Sequence, residues 1–418
     1  VNSGDITGSR YGVFLELVSG SFGNDVLTNT GTIRGGTAAI RVETTFAKID
    51  NNGAVTASSD GIVASATAAR ITSTGTINAG LNGIGTGTSG TPTADNVIEN
   101  DGSITAGGDG ILDFSDGSLI TNNGSISAAL NGIYSIGDFV MAVNNGSISA
   151  EASRGIRLEG NNGYITNNGY IANSDSGGLA DGIWADGDAI QVSNTGTIES
   201  ARNGIIHGGD GGNIVNSKTG VINAEARGVH IYSINFNGGN MVVNEGLITS
   251  RDSDGVYIQG AGNETFINRG AISTQDNSVF ANALTMLSNT GQSSLIVNEG
   301  SMSSWSRAVE LGSGDEYVIN SGLIHGDVNL GGGNDTFDGR GGFVSTFVAG
   351  GLGNDTYVVD ATATYAIVEQ KNEGTDTVRA EMDYVLGDDL ENLTLIGVGS
   401  WSGTGNAEAN TITGNFAD

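Results

Sequence analysis

The sequence predicts an all-β fold: a right-handed parallel β-helix, or β-solenoid, of about 14 coils that runs into a β-roll with shorter coils. Three observations predict it. First, an Asn-x-Gly-x-Ile anchor recurs at Asn29–Ile33, Asn122–Ile126, Asn144–Ile148, Asn194–Ile198, Asn244–Ile248 and Asn320–Ile324. With its variants it gives fourteen anchor glycines from Gly4 to Gly322, mostly 22 to 27 residues apart. A period of that size marks a solenoid, because one unit alone cannot bury its apolar face. Second, each repeat holds three short apolar stretches that alternate with Ser, Thr, Ala and Asn at the strand period of two. Third, no stretch of useful length has a helical period.

The first strand of a coil carries the anchor isoleucine, as at Ile33, Ile77, Ile104, Ile126 and Ile148. The second follows about seven residues later, usually as Gly-Ile, at Ile62, Ile84, Ile111, Ile133, Ile156, Ile183 and Ile205. The third precedes the next anchor asparagine, as in Val97-Ile98, Leu119-Ile120, Val242-Val243 and Val318-Ile319. β-Branched residues dominate this set, as strands prefer. Each buried isoleucine contributes about 1.5–3 kcal/mol. Uneven coil lengths favour the right-handed form, since left-handed helices usually keep a strict hexapeptide count. The repeated asparagines fit a stacked amide ladder at one corner, a structural and not a catalytic role.

Beyond residue 325 the coil shortens. Leu330-Gly-Gly-Gly-Asn-Asp-Thr-Phe337 and Gly350-Gly-Leu-Gly-Asn-Asp-Thr-Tyr357 stand twenty residues apart. The second fits the nonapeptide Gly-Gly-x-Gly-x-Asp-x-U-x at every fixed position, where U is a large apolar residue. The first lacks only the leading glycine, which is Leu330. This nonapeptide builds calcium-binding β-helical coils. Glycines permit tight turns at positive φ and aim carbonyl oxygens inward. Aspartates add hard charged oxygens, and calcium takes six to eight oxygen ligands at about 2.3–2.6 Å. One loop cannot supply that shell, but two stacked loops can. The ligand candidates are therefore Leu330, Gly331, Gly333, Asn334 and Asp335, with Gly350, Gly351, Gly353, Asn354 and Asp355. Phe337 and Tyr357 should each open a short strand with a buried ring. The segment Gly339–Phe347 has lost its aspartate, so that side should be poor in metal. The plainer alternative is two glycine turns with incidental aspartates.

The same loop, aligned through earlier coils, places Asp25, Asn213, Glu264 and Glu316 at the aspartate position. Glu264 and Glu316 are either ligands or solvated acids. Three regions result: a β-helix over 1–325, a calcium roll over 326–360, and a β-rich spacer over 361–418. The chain begins and stops in mid-pattern, so it reads as a piece of a longer protein.

Composition sets limits. The 418 residues include 70 glycines, one proline and no cysteine, about twice the usual glycine share. There is no disulfide framework and no thiol chemistry. Sixteen Lys+Arg against 46 Asp+Glu give a formal charge of −30. Without basic patches to neutralise phosphates, nucleic acid is excluded as a partner. Divalent ions would screen the self-repulsion. No apolar run is long enough for a membrane-spanning helix, and no N-terminal signal peptide is visible.

Over residues 326–418 the chain resembles the RTX (repeats-in-toxin) family of secreted calcium-binding proteins. The two nonapeptides carry the likeness, together with Tyr357-Val-Val-Asp, Glu373-Gly-Thr-Asp-Thr-Val378, Glu391-Asn-Leu-Thr-Leu395 and Gly403-Thr-Gly-Asn406. Residues 1–325 resemble, more generically, the β-helical regions of large bacterial surface proteins and adhesins. The resemblance implies type I export from a Gram-negative bacterium and folding outside the cell on calcium. It also implies carbonyl ligands from Gly331, Gly333, Gly351 and Gly353 and carboxylate ligands from Asp335 and Asp355.

Enzymatic β-helices cleave or epimerise polysaccharides, so that class must be weighed. His207, His230 and His325 stand alone and read as surface residues. No zinc-protease motif or nucleophile elbow occurs. Arg154, Arg157 and Glu159, and Trp184 with Asp181, Asp186 and Asp188, are the best sugar-facing candidates, since paired carboxylates can act as acid and base. An ice-binding face would need long threonine ladders. The reading is a non-enzymatic, calcium-binding surface or matrix protein that self-associates into an S-layer or filament, or acts as an adhesin. Cell-surface polysaccharide is a further partner. The alternative is a polysaccharide-binding or polysaccharide-cleaving β-helix.

Overall fold

Every strand in the computed structural model pairs in parallel with a strand one coil away, and among the described residues there is no helix. The described residues are 1–16, 24–65, 67–87, 94–174, 179–233, 239–260, 262–275 and 281–416. Residues 21–23 and Ala261 of the aligned glycine loops lie outside them. The chain forms two compact units, Val1–Gly209 with Val221–Ala224, and Asp210–Gly220 with Glu225–Asp418. The fold is a parallel β-solenoid of about 17 turns. That exceeds the fourteen anchors because coils past Gly322 lose the anchor asparagine. The column that holds Asn298 and Asn320 reaches Gly339 in the next coil.

In the first unit, three strands per coil follow the predicted order. Val97–Asn100, Ser103–Ala106 and Ile111–Asp113 make one coil; Leu119–Asn122, Ser125–Ala128 and Ile133–Ser135 make the next. Register stacks like on like: Ile104 on Ile126 on Ile148, and Ile111 on Ile133 on Ile156. All six are buried. The glycine of Gly-Ile is required by packing, since a Cβ at Gly132 would overlap Cγ2 of Ile148.

The amide ladder is present. Nδ2 of Asn100 donates to Oδ1 of Asn122, Asn122 to Asn144, and Asn144 to Asn167, each at 2.8 Å. All four side chains are buried. At the bend beside this ladder, neighbouring coils approach so closely that a Cβ at Gly124 would overlap the Gly102 carbonyl. The same contact recurs at the anchor glycines from Gly31 to Gly196 and explains them, whereas Gly4 has nothing within 4 Å of an added Cβ.

The second unit holds a ladder of the same kind through Asn216, Asn244, Asn268, Asn298 and Asn320 at 2.8–2.9 Å. Its later coils change shape. Two strands merge into one in Ser301–Leu311, which pairs with both Ala271–Thr274 and Leu284–Met286. Leu323–Gly332 repeats the merger. Thr336–Asp338, Thr356–Val359, Thr377–Ala380, Asn392–Leu395 and Thr411–Thr413 then stack in register. Phe337 and Tyr357 are fully buried, each one residue inside a short strand that Thr336 or Thr356 opens. Strand pairing continues on both sides of residues 325 and 360, with a register shift between His325 and Asp327.

Candidate metal centre

A mostly polar column runs along one corner, at the residue before a strand or, for Ser294 and Glu316, at its second residue. In order it reads Gly212, Asn240, Glu264, Ser294, Glu316, Asp335, Asp355, Asp376 and Glu391. One bond recurs between neighbouring members. The backbone N–H of Glu316 donates to Oδ1 of Asp335 at 2.7 Å, and that of Asp335 to Asp355 at 2.8 Å. Asp355 N–H donates to Asp376 at 2.8 Å, and Asp376 N–H to Glu391 at 2.7 Å. Further back, Asn240 N–H donates to Glu264 and Glu264 N–H to the Ser294 hydroxyl. The fold thus binds a buried acid to the next coil through one oxygen.

The second oxygen is different. Asp335 Oδ2, Asp355 Oδ2, Glu316 Oε2 and Glu264 Oε1 are buried with no hydrogen-bond partner. Asp113 in the first unit shows what a satisfied buried acid looks like. Its Oδ1 accepts from the Thr86 hydroxyl at 2.5 Å and its Oδ2 from the Ser135 hydroxyl at 2.8 Å. A buried ionised carboxylate without a partner is strongly destabilising, and it either takes up a proton or binds a cation. Burial raises Asp355 to about 7 and Asp376 to about 6, with neighbouring acids adding to both. Burial likewise raises Asp335, Glu316 and Glu264. Hard, orphaned carboxylate oxygens on stacked coils are the donor set that calcium takes.

The ten predicted ligand positions separate into distinct places. Asp335 and Asp355 lie in the column, one directly above the other. Gly331 and Gly351 have φ of 99° and 97°, and Gly333 and Gly353 have 131° and 133°. The two nonapeptides thus repeat one backbone shape that side chains disfavour. Gly331 stacks under Gly351, so closely that a Cβ on Gly351 would overlap the Gly331 carbonyl. Asn334 and Asn354 are exposed and form an outer ladder. Asn334 Oδ1 accepts from Asn354 N–H at 3.0 Å, and Asn354 Oδ1 from Thr375 N–H at 2.9 Å. Their side-chain oxygens hold turns and stay outside the acid column. Leu330 is a buried core side chain and offers only its carbonyl. Gly350 occupies the matching position one coil later, next to Ala349, which pairs with Asn329.

Two sequence-based assignments change. Asn213 pairs with Met241, so Gly212 takes the aspartate position and Asn213, half-buried, lies on the other face of the strand from Ile214. Glu264 and Glu316 are 1% and 2% exposed, which removes the solvated alternative. Asp376 and Glu391 were missed as column members. Asp376 had a readable signal, since Gly374-Thr-Asp-Thr-Val378 repeats Gly353-Asn-Asp-Thr-Tyr357.

The other candidates are engaged elsewhere. Arg154 lies 4.1 Å over the Trp184 ring and 3.6 Å from the buried Asp181 carboxylate, which Arg202 approaches at the same distance. Arg157 lies 4.4 Å over the Tyr134 ring and joins the Tyr134 hydroxyl in binding Glu159. Asp186 and Asp188 are exposed. His207 is buried, contrary to the surface expectation, with Nδ1 3.2 Å from the Ala185 carbonyl. It fills an inward position of Ile205–Gly208, a strand buried along its whole length. His230 packs on Tyr257 and His325 on Phe343. No helix among the described residues is long and apolar enough to cross a membrane.

The chain matches no protein-family model, and no curated protein matches it.

Proposed function

We propose that this chain is a calcium-binding structural protein of the bacterial cell surface or extracellular matrix, without enzymatic activity. One observation carries the reading: carboxylates stacked at one corner, of which Glu264, Glu316, Asp335 and Asp355 each bury an oxygen without a hydrogen-bond partner. Asp335 and Asp355 would hold the ion, with carbonyls of the stacked nonapeptide turns beside them. Calcium supplies charge compensation there, which the column itself lacks. Extracellular calcium sites bind at about 10⁻⁴–10⁻³ M, and a hundredfold excess over that adds about 2.7 kcal/mol per site. Low calcium inside a cell would leave the chain unfolded for export. The RTX-like motifs and the charge of −30 support an exterior location. A regular stack of coils suits spacing and lateral packing in an S-layer, filament or adhesin. Polysaccharide binding is the second reading, and the patch around Tyr134 and Trp184 gives it little support, since guanidinium groups cover those rings.

Electron microscopy of the purified protein in millimolar calcium and then in chelator tests the assembly. Calcium-dependent lattices or filaments are the expected result. Isolated particles in both conditions would overturn self-assembly and direct attention to glycan binding.

A further inference from the structure

We propose that Asp355, Glu369 and Asp376 form a calcium site completed from outside the two nonapeptides, which ties the segment after residue 360 to the glycine turn at Gly350. This deepens the calcium reading above and rests on it.

The geometry carries the argument. One carboxylate oxygen from each of the three residues lies within 4.8 Å of the others. Their exposures are 1%, 6% and 1%. Asp355 Oδ2 and Glu369 Oε2 are buried without a hydrogen-bond partner. Glu369 Oε1 accepts from the hydroxyl of Tyr357, itself fully buried.

Gly350 makes the room. The register of Met286 on Leu311, and of Asn329 on Ala349 on Val368, sets one inward column running Met286, Leu311, Leu330, Gly350, Glu369. The first three fill it with apolar side chains. At Gly350 the apolar filling stops and Glu369 enters from the next coil. A Cβ at Gly350 would overlap Asp355 Oδ2, Glu369 Oε1 and the Tyr357 hydroxyl together. Three oxygens therefore converge on the space that a missing side chain leaves.

The ligand chemistry selects the ion. Three carboxylates without imidazole or thiolate favour a hard cation over zinc. Calcium takes oxygens at about 2.3–2.6 Å, so one ion can reach carboxylate oxygens that lie within 4.8 Å of one another.

The test uses the full chain. Calcium bound at equilibrium is counted by dialysis for the unaltered protein and for Glu369→Gln, Gly350→Ala and Asp376→Asn. Glu369→Gln is isosteric and keeps an acceptor for Tyr357. Terbium is the second probe, with Tyr357 as its luminescence donor. The expected result is that Glu369→Gln and Gly350→Ala each lose one bound calcium while keeping their circular dichroism spectrum. Tyr357→Phe should keep that calcium and lose much of the sensitised terbium emission. If Gly350→Ala fails to fold, Asp376→Asn replaces it in the count. An unaltered protein that binds calcium, with Glu369→Gln binding the same number, would overturn this site alone. An unaltered protein that binds none would overturn the calcium reading as well.

Discussion

The backbone N–H of Asp335 donates to Oδ1 of Asp355, one coil away, at 2.8 Å. The same bond joins Glu316 to Asp335, Asp355 to Asp376, and Asp376 to Glu391. Each inner acid therefore fixes the register of its neighbour with one oxygen. In Asp335 and Asp355 the other oxygen remains for a cation.

Replacing Asp335 with asparagine separates these two roles. The amide oxygen can still accept from Glu316 N–H, and one buried acid is removed. In chelator the Asp335→Asn protein should melt at the same temperature as the parent or higher. In millimolar calcium it should lose part of the calcium-induced gain, about 2.7 kcal/mol per site at a hundredfold excess. Thermal unfolding by circular dichroism in both buffers checks it.

Stability in chelator should fall as pH rises. Burial raises Asp355 to about 7, Glu369 to about 8 and Asp376 to about 6, above the ordinary carboxylate range. The folded chain then holds protons that the unfolded chain releases. That stabilisation is complete below the ordinary range and is lost as pH passes the folded values. Melting temperatures measured in chelator from about pH 5 to about pH 9 should decline. Saturating calcium should remove the decline, because the ion replaces the protons.

Asn122→Ala breaks the inner ladder in both directions. Asn122 accepts from Asn100 and donates to Asn144 and to the Ser147 carbonyl. The buried groups left without partners should cost about 2–4 kcal/mol. Asn123→Ala, on the exposed neighbouring ladder, should stay within about 0.5 kcal/mol. Denaturant midpoints of the two proteins check the contrast.

Gly124→Ala places a Cβ against the Gly102 carbonyl, a backbone atom with no room to yield. A loss of about 1–3 kcal/mol is expected. Gly4→Ala is the control, since nothing lies within 4 Å of its added Cβ. Denaturant unfolding again measures both.

The solenoid was legible because each structural role recurs at one position per coil. Ile104, Ile126 and Ile148 stack as the anchor spacing implies, and so do Asn100, Asn122 and Asn144. Asp335 and Asp355 were legible because the nonapeptide places the acid beside the glycines that shape its turn. Coil count was less so, since the shorter coils past Gly322 drop the asparagine and keep only their strand pairing. Asn213 misled because a one-residue offset turns a side chain from one face of a strand to the other. Glu369 was hidden for a physical reason. It enters the cluster from a different strand, into space left by Gly350, and only the pairing of Ala349 with Val368 brings the two together. His207 looked like a surface residue because composition cannot report that its strand is buried on both faces.

The most direct test of the account is a calcium titration of the intact chain, followed by its unfolding midpoint at neutral pH. The account predicts a midpoint that rises steadily with the logarithm of calcium concentration through the millimolar range, with a smaller rise in a protein carrying Asp335→Asn and Asp355→Asn together. A midpoint that is the same in millimolar calcium and in chelator would contradict it.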